Sequence, residues 1–212
     1  PDDSITPLHN ARKHRRRHKR RRADRSQRLR LEGLSIDFSE LQQFYKEDPF
    51  VLWFDDCRWF QSAGWTYAAP NSMAPVRNIG GGGLYVTDSL AEDMTYGFVN
   101  TNIVRGSHVE KISGDAYQNS RLVLNCSAHN IDGTVAAHHS DLLQYFGHHE
   151  NVIVFGVEAT RVVETQNFFL DHWNTSFKNC AFVRVAVENI QAGRRRRHCS
   201  DLVEALFDAG GR

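Results

Sequence analysis

Glu92 and Asp93 stand nine and ten residues beyond the end of a run of four glycines, Gly80 to Gly83. Consecutive glycines let backbone N–H groups approach a phosphate closely, and an acid delivered soon afterwards can protonate a leaving oxygen. In that reading, "RNIGGGGLYVTDSLAEDMTY" is a phosphate loop followed by a general acid. The same residues support a plainer reading. Ser89 and Glu92 fit the S-x-x-E capping box, which makes "SLAEDMTYGFV" a helix with Leu90 and Met94 on one face. Glu92 is then a cap and the glycines are a turn.

Other reactive side chains are less well arranged. Eleven histidines include the adjacent pairs His138-His139 and His148-His149. Neighbours on a helix or strand point in different directions, so no metal site is expected. Four cysteines lie far apart without a C-x-x-C pair, which fits reduced thiols in an intracellular setting, nuclear or cytoplasmic, or in a virion if the chain is viral. Trp53, Trp59 and Trp65 read as core or interface aromatics, and Asp55-Asp56 as a strand-end turn. No G-x-S-x-G elbow occurs. No apolar run is long enough for a membrane span, and the N-terminus lacks a signal-peptide core. No cofactor is expected.

Charge divides the chain. Residues 11–30 hold 12 Lys or Arg and one acid, a net of +11, while the whole chain carries +1. The remainder therefore carries −10. A basic arm over residues 1–30, expected to be disordered unless a partner neutralises it, and a single domain over 31–212 follow from this asymmetry. Arg12, Lys13, Arg15, Arg16, Arg17, Lys19, Arg20, Arg21 and Arg22 are candidate phosphate contacts to RNA or DNA, as are Arg194, Arg195, Arg196 and Arg197. The arm has no interleaved aromatics, so base stacking is not expected from it. A nuclear-localisation signal is the rival reading of the arm, and a solvated loop that of the second run.

The elements that must position these residues read as alternating strands and helices. Strands are expected in "PFVLWFDDCRWF", "SRLVLNCSA", "NVIVFGVEA" and "CAFVRVAVE". Helices are expected in "FSELQQFYKE", "SLAEDMTYGFV", "SDLLQYFGHHE", "NFFLDHWNTSF" and "SDLVEALFDAGG". No internal repeat is visible. The alternation predicts an α/β fold.

From about residue 50 onward, the order of these elements resembles the macrodomain-type catalytic domain of poly(ADP-ribose) glycohydrolases. That family carries a triple glycine and then a Gln-Glu-Glu triplet. Gly81, Gly82 and Gly83 match the glycines, and Ala91, Glu92 and Asp93 fall on the triplet. "VIVFGVEA" resembles a family strand ending in Asp-Ala, and Cys180-Ala181-Phe182 a Cys-Gly-Phe. The resemblance implies a macrodomain-like three-layer sandwich with a mixed, largely buried sheet, to which the basic arm is attached. It also implies that Glu92 and Asp93 hold the catalytic positions and that Gly81 to Gly83, Asn189 and Gly193 lie near ADP-ribose.

Two departures point to impaired chemistry. Asp93 replaces the longer family acid, and a misplacement of about 1 Å can cost on the order of 100-fold in rate. Arg194 to Arg197 replace the small residues of a diphosphate loop. The expected function is a structural or nucleic-acid-associated component, in a ribonucleoprotein or virion, whose arm contacts nucleic acid within a larger protein assembly. The alternatives are an active hydrolase of ribose–ribose bonds and an ADP-ribosyltransferase-like protein.

Overall fold

Five segments share one pattern of inward-facing residues. Val86, Ser89, Ala91 and Met94 are buried, as are Val104, Ser107, Val109 and Ile112. So are Val123, Cys126, Ala128 and Ile131, and Val154, Val157, Ala159 and Val162. Phe54, Cys57 and Trp59 begin the same series. The spacing is three, two, three. A plain strand would bury every second residue. The two steps of three arise because one extra residue in each is placed in the left-handed region. At the first step these are Asp56, Asp88, Gly106, Asn125 and Gly156, with φ between 49° and 64°. At the second they are Asp93, Lys111, Asn130 and Arg161, with φ between 51° and 61°. Asp, Asn and Gly enter this region most readily, and they dominate the first set. Gly106 also needs its missing side chain, since a Cβ would lie 2.2 Å from Asp88 Oδ1 of the preceding coil.

The computed structural model describes residues 27–39, 45–47, 49–62, 74–135, 139–163, 168–170, 176–191, 194–198 and 207–208. Its first coil comprises β1 (Arg28–Glu32), β2 (Ser35–Asp37) and β3 (Tyr45–Lys46). The second is β4 (Val51–Asp55), β5 (Arg58–Phe60) and β6 (Arg77–Asn78). The third is β7 (Leu84–Thr87), β8 (Leu90–Met94) and β9 (Phe98–Val99). The fourth is β10 (Ile103–Arg105), β11 (His108–Ile112) and β12 (Tyr117–Gln118). The fifth is β13 (Leu122–Leu124), β14 (Ser127–Asp132) and β15 (Leu143–Tyr145). Beyond it lie β16 (His148–Glu150), β17 (Ile153–Val163), β18 (Phe168–Leu170), β19 (Ser176–Gln191), β20 (Arg194–His198) and β21 (Phe207–Asp208).

Each strand pairs in parallel with the equivalent strand one coil later. A first ladder runs β1-β4-β7-β10-β13-β17, a second β2-β5-β8-β11-β14-β17 and a third β3-β6-β9-β12-β15-β18. Long strands β17 and β19 serve both the first and second ladders. The chain is a parallel β-helix, an architecture in which each coil contacts only its neighbours. Inside, side chains stack in columns. Leu31, Phe54, Val86, Val104, Val123, Val154 and Phe182 are successive partners in the first ladder. Ile36, Trp59, Ala91, Val109, Ala128, Ala159 and Val187 are successive partners in the second. Trp59 meets Phe54 and Phe98 edge-on, with centroids 5.1 and 5.9 Å away.

This fold overturns the expected α/β three-layer sandwich. Among the described residues there is no α-helix and only one 3₁₀ turn, Gly133–Val135. "SLAEDMTYGFV" forms β8 and β9, and "SDLLQYFGHHE" contributes β15 and β16. The helix expected in "FSELQQFYKE" ends in β3, and Phe168–Leu170 of "NFFLDHWNTSF" are strand. Most of "SDLVEALFDAGG" lies outside the described residues, and its Phe207–Asp208 pair with β19 as β21. The physical reason is the inserted left-handed residue. It separates the inward residues Ala91 and Met94 by three positions, the same interval that marks one face of a helix.

The repeat went unseen because its period is irregular. From one coil to the next, the first-ladder partners Arg30, Trp53, Tyr85 and Ile103 are offset by 23, 32 and 18 residues. Ile103, Leu122, Ile153 and Ala181 follow at offsets of 19, 31 and 28. Second-ladder offsets are the same, except that a register shift between Ala159 and Val162 takes the last from 28 to 27, so the long insertions fall outside the paired strands.

Candidate functional site

The expected catalytic pair sits on the outside of the second ladder. Glu92 is ion-paired with Arg58 of the preceding coil and stacks in register on Glu110. Asp93 occupies one of the left-handed positions, and its side chain is only 17% exposed. Burial pushes its carboxyl above the usual range, against the pull of Lys111 at 4.0 Å. Ser89 is no helix cap. It accepts from Cys57 N at 3.0 Å and donates to Thr87 O at 2.6 Å, closing the corner between the first and second ladders.

The glycines lie elsewhere, at the corner between β6 and β7, with the first ladder between them and Glu92. They serve close packing of backbone on backbone. A Cβ at Gly80 would lie 1.8 Å from Glu47 O and one at Gly82 2.4 Å from Phe50 O. The Gly81 carbonyl accepts from Lys46 Nζ at 2.8 Å. Asn189 lies on β19 paired with Val162, and Arg194 to Arg197 lie on β20, antiparallel to β19. Gly193 and the arm residues Arg12 to Arg22 lie outside the described residues. Thus the structure brings Glu92 and Asp93 together and does not bring the glycines to them. No group of three or more metal-ligating side chains forms among the described residues. Cys57, Cys126 and Cys180 are free and buried. No helix among the described residues is long and apolar enough to cross a membrane.

A groove on the outer face of the first ladder is a feature that sequence reasoning missed. It encloses about 540 Å³ and runs along the coil axis over β1, β4, β7, β10 and β13. Its floor is Leu29, Val51, Trp53, Tyr85, Ile103 and Leu124, and Arg28, Arg30 and Arg105 also line it. Trp53 and Tyr85 are direct partners in register. The Trp53 indole is held in place, donating from Nε1 to Thr87 Oγ1 at 2.8 Å. The Arg30 guanidinium lies 4.9 Å from its ring centroid and is ion-paired with Asp55. Such an indole presents a fixed π-surface beside cationic side chains. The available signal was alternation: Trp53 and Tyr85 each sit between inward-facing neighbours.

A second unanticipated cluster is buried where the second ladder passes to the third. Asp115 and Asp141 head two Asp-x-x-Gln phrases, "DAYQ" and "DLLQ", that stack in register through Gln118 and Gln144. Asp141 N donates to Asp115 Oδ1 at 3.1 Å, and Gln118 Nε2 to Asp115 Oδ2 at 3.0 Å. His139 Nδ1 lies 2.9 Å from Asp141 Oδ2, and burial, with the nearby Asp115 charge second, pushes the Tyr96 hydroxyl above its usual range. Burial first, and the Asp141 carboxylate second, push the Asp115 carboxyl up to about 8.

Because the folded value is raised, ionising Asp115 opposes folding. The stability it removes grows as pH rises from the ordinary carboxylate range to about 8 and is constant above that. Asp115→Asn is therefore expected to stabilise the protein at pH 8–9 and to lose that advantage below about pH 4, the unfolded carboxylate range. Thermal melts across this span check it. An advantage that is independent of pH would refute the assignment.

Comparison with protein-family models, with curated proteins and with solved structures returns no match.

Proposed function

We propose that this β-helix is a nucleic-acid-associated binding protein that holds a single strand along the outer groove of its first ladder. One observation carries the reading. The basic segment runs without a break into β1, and its last arginines, Arg28 and Arg30, line the same groove as Trp53 and Tyr85. A positively charged track beside exposed aromatic faces is the arrangement that binds single strands with little sequence preference. The body as a whole is acidic, so attraction of a polyanion is focused where the basic segment enters. The hydrolase activity implied by the glycohydrolase resemblance depended on a sandwich that the chain does not have, and no hydrolytic step is proposed.

Salt dependence tests this reading. Residues 1–26 carry ten Lys or Arg. Deleting them from the full chain is expected to weaken binding to an oligouridylate and to flatten the slope of log affinity against log salt by several units, at most about 7. Affinity that does not fall with salt, or that survives the deletion unchanged, would overturn it.

A further inference from the structure

A second cavity, of about 430 Å³, runs beside the groove at the corner where the third ladder returns to the first. Its lining differs sharply in chemistry. Asn78, Asn100, Asn102, Asn119, Asn151 and Arg121 provide half of its twelve lining residues. The two cavities share coils, and Asn102 of the cleft directly precedes Ile103 of the groove. Several of the amides are fixed by the backbone. Asn102 Oδ1 accepts from Leu84 N at 2.8 Å and Asn119 Oδ1 from Phe146 N at 2.9 Å. Each keeps an NH₂ group as a further donor. Arg121 is held lightly, its Nε donating to Asn151 O at 3.5 Å. The one carboxylate on the wall, Glu150, is paired with Lys178 at 3.5 Å.

We propose that this cleft takes the ribose–phosphate backbone of the strand whose bases lie on the groove, and that it selects RNA over DNA. The inference rests on the groove reading above. A nucleotide has a flat apolar face joined to a polar, hydroxylated and anionic backbone, and the two cavities match those halves. The Asn102 and Asn119 NH₂ groups donate to the 2′-hydroxyl, and Arg121 faces the phosphate. A 2′-hydroxyl both donates and accepts and is what distinguishes the two polymers. Deoxyribose leaves fixed donors without a partner, which a hydrogen-bonding site penalises.

The full chain is titrated with an oligouridylate and with its 2′-deoxy counterpart of equal length, which carry the same base and charge. The ribo form is expected to bind roughly three- to tenfold more tightly, the value of one net hydrogen bond. Asn119→Asp keeps the acceptor for Phe146 N and tolerates the left-handed backbone while removing the NH₂ donor. It is expected to lower the ribo/deoxy ratio, the Asn102 donor remaining, whereas Arg121→Gln should weaken both polymers alike and preserve the ratio. Equal binding of the two polymers by the unaltered chain would overturn this inference and leave the groove reading standing. Binding of neither would overturn both.

Discussion

Trp53→Ala is expected to lower affinity for single-stranded nucleic acid by about 5- to 150-fold, corresponding to the roughly 1–3 kcal/mol that one base–aromatic stack contributes. The indole is prepared for this role before any ligand arrives. It is 37% exposed, its N–H is bonded to Thr87, and Arg30 lies against its ring. Little ordering cost therefore remains at binding. Fluorescence anisotropy with a labelled oligouridylate measures the loss, and the slope against log salt should stay unchanged because no phosphate contact is removed. Trp53→Phe should recover part of the affinity. If Trp53→Ala binds like the unaltered chain while remaining folded, the groove is not the site.

Trp59→Ala should have the largest effect on stability, a loss of about 3–5 kcal/mol, as for other large buried aromatics cut to alanine. Trp59 is among the largest fully buried side chains and is 1% exposed. Its ladder partners are Ile36 on one side and Ala91 on the other. The methyl group of Ala91 cannot fill the space, and Phe54 and Phe98 would each lose an edge-on contact. Urea unfolding followed by far-UV circular dichroism reads the shift. A loss below about 1 kcal/mol would mean that the interior collapses around the gap far more readily than close-packed cores do.

Local strand character was legible in the sequence wherever both faces of a strand are mostly apolar. "NVIVFGVEA" enters β17 at Ile153, and "CAFVRVAVE" falls within β19. "PFVLWFDDCRWF" was legible as strand but not as two strands, because Asp56 turns the chain between β4 and β5 with a φ of 51°. Helices were inferred where an inserted left-handed residue set inward neighbours three apart, as at Ala91 and Met94. The repeat was masked because two coils of 18 and 19 residues are flanked by ones of 32 and 31. The site was less legible still. Trp53 and Arg30 belong to different stretches and meet only because their strands are neighbours, a fact that depends on the coil and not on local spacing. Glu92 and Asp93 were singled out for their nearness in sequence to glycines from which the fold separates them.

Parallel stacking also determines how the molecule would yield under load. Pulled from its ends, it would come apart one coil at a time, since each coil is bonded only to the next. The slack released would be uneven. The central coils, with offsets of 18 and 19 residues, would each free about 65–70 Å of chain, and their neighbours, with offsets of 32 and 31, about 110–115 Å. The insertions that hide the repeat from a reader of the sequence would then be recorded directly as the lengths of successive extension steps.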